Sequence, residues 1–222
     1  MKTCIFDLDG TVLDTIGDIK AAINYALMTH HIKEGTTDDI MRYVGNGLRN
    51  AIERAINEKA ARDVPTAERD EIFALMMRYY ESNPAVWTRP YDGIVDYLME
   101  LQGRGVKLAI LSNKAHEITY PLTKVFFPEV RFLFVQGKKA NTPLKPSAGL
   151  TSALMEEYGL KKKDVIFIGD SEVDHETAMN AGCREIIVNY GFRSRRELER
   201  SGIRNTVSSV EELKLALNRA LI

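Results

Sequence analysis

Cysteine is scarce in this chain of 222 residues: Cys4 and Cys183 are the only two, far apart and in no metal-ligand spacing. That argues against a disulfide-stapled fold or a cysteine-bound zinc, and it suits a reduced, cytoplasmic protein. No apolar run approaches the roughly 18–20 residues that a membrane-spanning helix needs. The opening segment MKTCIFDLDG places two carboxylates after a short apolar run, which is not the pattern of a signal peptide. An excess of either charge is also missing, since 30 basic side chains face 31 acidic ones. Without a basic surplus there is no electrostatic footprint for nucleic acid or an anionic membrane, and neither is expected as a partner.

What is present is ordinary globular usage, with 45% hydrophobic and 27% charged residues. Five short runs are apolar throughout and predict strands buried on both faces: 3–6, 107–111, 132–135, 165–168 and 185–188. Helical periodicity separates most of them, so the expected fold is α/β, an open, doubly wound parallel sheet of Rossmann-like type. One interval breaks the alternation. About 95 residues after the first strand contain no convincing strand, and 15–31, 37–44, 48–61 and 67–82 all read as helices. Four helices exceed one crossover connection, which predicts an inserted all-helical domain over 15–87, with the α/β core made of 1–14 and 88–222. A last amphipathic helix is expected over 210–221. The charge-rich segment 193–204 reads as solvated surface, while Tyr79, Tyr80 and Trp87 read as packing for the helical domain and its joint.

The chemistry concentrates at strand ends. Ile5-Phe6-Asp7-Leu8-Asp9-Gly10-Thr11 runs from a buried strand into two carboxylates spaced two apart. In extended chain such residues project to one side, so Asp7 and Asp9 would face one site at the end of the strand where open α/β sheets bind ligands. Gly10 suits a sharp departure from the strand. A second acidic cluster, Gly169-Asp170-Ser171-Glu172-Val173-Asp174, follows the apolar run 165–168. If the first and fourth strands are neighbours, Asp170 approaches Asp7 and Asp9. Three converging carboxylates call for a hard divalent cation, and Mg²⁺ suits them best. Asp170 or Ser171 would also cap the following helix. Ser112 and Asn113 end the second strand with a hydroxyl and an amide suited to phosphate oxygen. Lys145-Pro146 follows the third strand, with Pro146 expected in the first turn of a helix, and a fixed ammonium there would neutralise phosphate charge.

These four elements, in this order, resemble the haloacid dehalogenase superfamily of phosphotransferases: DLDGT at 7–11, LSN at 111–113, Lys145 and GDSEVD at 169–174. The resemblance covers the whole chain, the helical insertion corresponding to a cap. Asp9 is similar to the acid of the phosphatases and mutases, which the dehalogenases lack. A closer likeness is to the phosphoglycolate phosphatase branch, carried by Tyr43-Val44-Gly45-Asn46-Gly47-Leu48, Arg89-Pro90-Tyr91-Asp92-Gly93, Ser112-Asn113-Lys114 and Gly191-Phe192-Arg193-Ser194. One departure stands out: Ser147-Ala148 follow Lys145-Pro146, where the family usually has an acid.

The resemblance implies that Asp7 is the nucleophile and Asp9 the general acid/base. It implies that Mg²⁺ is held by the Asp7 side chain, the Asp9 carbonyl and Asp170. Ser112, Asn113 and Lys145 would bind the phosphoryl group, and Asp174 would orient Lys145 or the metal shell. In the cap, Gly45, Asn46 and Gly47 form either a loop reaching the site or a tight turn between helices. Arg49 either meets a substrate carboxylate or is solvated. The expected activity is a phosphatase acting on a small phosphorylated metabolite, phosphoglycolate first, as a monomer or small homo-oligomer. A phosphosugar mutase, a pyrophosphatase or a nucleotidase of the same fold is the alternative. A non-catalytic binding protein would be expected to have lost at least one of Asp7, Asp9, Lys145 or Asp170, and all four are present.

Overall fold

The computed structural model describes residues 2–222. The chain divides into two compact units, one of residues 1–14 and 90–222, the other of residues 15–89. The second joint thus lies two residues beyond the expected one.

The first unit is built on a six-stranded sheet. Its strands are β1 (Thr3–Phe6), β4 (Lys107–Ala115), β5 (Phe132–Lys138), β6 (Val165–Gly169), β7 (Arg184–Val188) and β8 (Thr206–Val207), in the order β5-β4-β1-β6-β7-β8. Every pairing is parallel, and β1 sits in the middle between β4 and β6. The fourth predicted strand is therefore a direct neighbour of the first. Two further strands of two residues each, β2 (Leu13–Asp14) and β3 (Arg89–Pro90), occur at the joints, in an interval expected to hold no strand. They are too short to show a period, as is β8.

The central strands are apolar on both faces because both are covered. Ile5, Ala109, Leu111, Val165 and Phe167 pack with Leu154 and Met155 of α7 (Ala148–Glu157) and with Ala178 and Ala181 of α8 (Glu172–Ala181). The alternate residues Cys4, Phe6, Leu108, Ile110, Ile166 and Ile168 are equally buried on the other face. Helices α5 (Ile94–Gly103), α6 (His116–Phe126), α9 (Arg195–Arg200) and α10 (Val210–Ala220) complete the unit. β4 continues four residues past its apolar run, so Ser112 and Asn113 lie within the strand rather than after it. The helix after Lys145 starts at Ala148, with Ser147 before it. Pro146 thus precedes the helix instead of occupying its first turn.

The second unit holds α1 (Ile16–Thr29), α2 (Thr37–Tyr43), α3 (Leu48–Lys59) and α4 (Thr66–Ser82). α1 buries Ile19, Ala22, Ile23, Ala26 and Leu27 on one face, and Tyr25 stacks on Tyr79 of α4 at 4.6 Å. Thr36 and Asp39 cap α2 reciprocally. Trp87 departs from expectation. It is largely exposed, although its β-carbon and the near edge of its ring pass so close to Gly17 that a side chain there would overlap them.

The two ends of this unit are tied by Asp18. Its buried carboxylate accepts from the Trp87 N–H at 3.0 Å, the Thr88 N–H at 2.8 Å and the Thr88 hydroxyl at 2.7 Å. Asp18→Ala would leave these buried donors unpaired and is expected to cost about 2–3 kcal/mol. Urea unfolding should register that loss, while Asp38→Ala, at an exposed position on α2, should change stability by less than about 0.5 kcal/mol.

Candidate active site

The sheet brings the predicted residues together at the C-terminal ends of β1, β4 and β6. The Asp7 N–H donates to the Ile168 carbonyl at 2.8 Å, so the β1–β6 pairing runs one residue beyond the strand and delivers Asp7 beside Gly169-Asp170. Carboxylate oxygens of Asp7, Asp170 and Asp174 all lie within 4.8 Å of one another. The Lys145 ammonium stands between two of them, 2.8 Å from Asp7 Oδ1 and 2.7 Å from Asp174 Oδ1.

Asp174 is the organiser of this corner. Its second oxygen accepts from the Asp170 N–H at 3.2 Å, the Ser171 N–H at 3.1 Å and the Ser171 hydroxyl at 2.7 Å. Ser171 is thus the residue at the cap of α8, and the acid three positions on answers it. Asp170 is anchored differently: its Oδ2 accepts from the Phe192 N–H at 2.7 Å. Gly10 takes a positive φ of 80° against this carboxylate. Gly191 passes so close that a β-carbon there would overlap the Gly10 carbonyl oxygen and the Asp170 side chain.

The β4 residues contribute support as well as donors. The Asn113 side chain grips the backbone of Lys145, accepting from its N–H at 2.7 Å and donating to its carbonyl at 3.1 Å. Ser112 is buried beside it, its hydroxyl accepting from the Lys114 N–H at 3.3 Å.

Two residues that entered the sequence reading only as part of the closer likeness, with no role, lie beside the acidic cluster. Lys114 is buried, and its ammonium reaches both Asp9 oxygens, at 2.8 and 3.1 Å. The available signal was its place two residues after Ser112, had the strand been extended past its apolar run. Arg193, read as solvated, is buried and bonded to Glu172, with Nε 3.1 Å from Oε2. Its position after Gly191-Phe192, rather than the charge of the run that follows, was the relevant context.

The electrostatics explain what the cluster accommodates. Burial pushes the Asp7 carboxyl up to about 7 despite the nearby Lys145 charge. Burial and then the charges of Asp174 and Asp7 push Asp170 well above the carboxylate range. For Lys145, burial lowers the pKa, but Asp174 and Asp7 outweigh it and the net shift is upward. Asp7, Asp170 and Asp174 crowd within 4.8 Å of one another, with the Lys145 ammonium on Asp7 and Asp174 and the Lys114 ammonium on Asp9. Hard oxygen donors crowded so closely, two of them pushed toward protonation, are the setting that a divalent cation relieves. The residues present fit such an ion.

The model of the haloacid dehalogenase-like hydrolases matches residues 4–188, a span that includes all these carboxylates and both lysines. The chain belongs to that family. Similarity to individual members of the haloacid dehalogenase-like hydrolases extends over most of the chain. A phosphoglycolate phosphatase from Aquifex aeolicus is 28% identical over 192 residues, covering 86% of each chain. A crystal structure from Lactobacillus delbrueckii superposes with a TM-score of 0.86 at 32% identity, covering 98% of this chain and 99% of the other. That of a predicted phosphoglycolate phosphatase from Haemophilus somnus gives a TM-score of 0.90 at 25% identity over 98% of both. This hydrolase is a phosphoric monoester hydrolase of the kind resembling phosphoglycolate phosphatase.

The remaining predicted residues lie in the helical unit. Gly45, Asn46 and Gly47 form the connection from α2 to α3, with φ of 113° at Gly45 and 84° at Gly47. Arg49 on α3 has its guanidinium 2.5 Å from Asp70 and 3.2 Å from Glu53, over the Phe73 ring. Among the described residues, no helix is long and apolar enough to cross a membrane.

Proposed function

We propose that this hydrolase is a Mg²⁺-dependent phosphatase of a small phosphorylated metabolite, with phosphoglycolate the first candidate, working through an aspartyl phosphate. The observation that carries the reading is the meeting of Asp7, Asp170 and Asp174 just past β1 and β6, with the Lys145 ammonium between Asp7 and Asp174. The substrate class is supported by the names of the relatives, and the helical unit would act as the cap that excludes bulk water.

The side chain of Asp7, the carbonyl of Asp9 and the side chain of Asp170 would hold Mg²⁺. When bound, that ion supplies positive charge that keeps Asp7 ionised and offsets charge on the phosphoryl oxygens. Asp7 attacks phosphorus, and the bond from phosphorus to the leaving oxygen breaks as Asp9 delivers a proton to that oxygen. Water then attacks the phosphoryl group, Asp9 takes up its proton, and phosphate leaves as the Asp7 carboxylate is restored. Ser112, Asn113 and Lys145 orient the group in transfer, where charge spread over three oxygens rewards fixed donors. Asp174 keeps the Lys145 ammonium aimed at Asp7.

A panel of phosphate esters tests the reading, with kcat/KM measured for phosphoglycolate, a sugar phosphate, a nucleotide and pyrophosphate. Free phosphate from a small monoester, falling at least ~100-fold on metal removal and restored by Mg²⁺, is expected. Isomerised sugar phosphate without free phosphate would replace the reading by a mutase. No release from any ester by the folded, Mg²⁺-supplied protein would reject it.

A further inference from the structure

Lys114 has no role in the reaction as described so far, yet its placement is hard to explain by packing. A fully buried ammonium costs free energy unless its partner is fixed, and the partner here is the carboxylate assigned to proton transfer. The contact is two-pronged, Nζ lying 2.8 Å from Oδ1 and 3.1 Å from Oδ2 of Asp9. The two residues are 105 positions apart, so only the sheet brings them together. The Lys114 backbone is itself fixed, its N–H bonded to the Ser112 hydroxyl within β4. Asp9, in contrast, lies beyond β1, where Gly10 turns the chain away with a positive φ. The residue that must move a proton thus stands at a bend, and a strand-borne cation pins its side chain.

We propose that Lys114 is a positioning residue for proton transfer: it fixes the Asp9 carboxylate for protonation of the leaving oxygen and then for activation of water. The proposal rests on the phosphatase reading above. It separates the two lysines by task. Lys145 serves the nucleophile and the phosphoryl group, whereas Lys114 serves the proton donor on the leaving-group side.

The consequence is a dependence on the leaving group. An alkyl ester departs as a basic alkoxide and needs the proton from Asp9. An aryl ester such as p-nitrophenyl phosphate departs as a weakly basic phenolate and does not. Water attack on the aspartyl phosphate needs Asp9 in either case. Lys114→Met should therefore slow the first turnover of an alkyl ester by ~100-fold or more, the usual worth of positioned acid catalysis. With p-nitrophenyl phosphate the same variant should release its first p-nitrophenolate within about threefold of the wild-type rate. A burst approaching one product per enzyme should follow, then slow turnover, because the phosphoryl-enzyme accumulates.

Rapid-mixing kinetics on the Mg²⁺-loaded protein would test this, with thermal melting to establish that each variant is folded. Asp9→Asn should show the same leaving-group pattern, and Lys114→Met/Asp9→Asn should be no slower than Asp9→Asn alone, since two residues acting as one unit are not additive. An equal slowing of first turnover for alkyl and aryl esters would overturn the proposal, as would additive losses or an unchanged alkyl rate. If Lys114→Met does not fold, Lys114→Gln, which keeps a donor on a shorter stem, must show the pattern in weaker form or the proposal fails. Failure of the phosphatase reading looks different: the wild-type protein itself would then release no phosphate from any ester.

Discussion

Asp7→Asn should lower phosphate release by about 10⁴-fold or more, with the fold retained. The substitution is nearly isosteric, but an amide oxygen does not add to phosphorus as a carboxylate does. The residual rate would reflect substrate positioning by Ser112, Asn113 and Lys145 alone. Folding should survive because Asp7 is a strained ionised group in the absence of a cation: burial pushes it up to about 7 even with Lys145 2.8 Å away. A neutral amide removes that desolvation cost while giving up the ion pair, and the two changes oppose one another. Labelling supplies an independent check. Asp9→Asn mixed with a phosphate ester labelled in the phosphoryl group should accumulate label on the protein, and Asp7→Asn/Asp9→Asn should not. Retention of more than about 1% of activity by Asp7→Asn would remove Asp7 from the nucleophile's role.

Lys145→Met should have the largest effect on stability. The side chain is only 2% exposed and lies between two buried carboxylates, Asp7 and Asp174. Methionine fills a similar volume, so the loss would be electrostatic. Removing one member of a buried ionic cluster leaves the others uncompensated and typically costs ~3–5 kcal/mol. Urea unfolding in the presence of a chelator should show that loss. Mg²⁺ should restore part of it, because the ion would offset Asp7, one of the two carboxylates that lose their partner, and binds the folded state only. Activity should not return with the metal. The phosphoryl oxygens would still lack the fixed ammonium, an effect of ~10²–10³ in rate. Lys145→Arg is expected to rescue neither property, since a planar guanidinium does not fit between carboxylate oxygens placed for a compact ammonium.

The two predictions draw on different layers of information. Asp7 and Asp170 were legible because each stands at the end of an apolar run, Asp9 because it is spaced two from Asp7, and a strand of such composition in an open sheet ends where ligands bind. The helical insertion was legible from length, since four amphipathic segments exceed any crossover. The ends of the elements were less so. β4 runs on through Ser112, Asn113 and Lys114 to Ala115, which pairs with Lys138 of β5 only after a shift of register that no apolar pattern announces. Pro146 lies before α7 rather than in its first turn, because the Lys145 backbone is held by the Asn113 side chain 32 positions away. The exposure of Trp87 and the buried guanidinium of Arg193 both run against what residue type alone suggests. The guanidinium is explained by its partner, since Glu172 receives Arg193.

The composition and order of short segments were enough to determine the fold class and to single out the acids that the sheet brings together. These depend on local patterns, a period of hydrophobicity or a pair of acids at the end of a run, which the chain carries wherever it is placed. Only the tertiary structure decided which charge meets which. Lys114 finds Asp9 across 105 residues, Lys145 finds Asp174 across 29 and Arg193 finds Glu172 across 21. Those partnerships are set by a parallel sheet that places β4 and β6 on either side of β1, and its hydrogen-bonded register is a property of strands together rather than of any one of them.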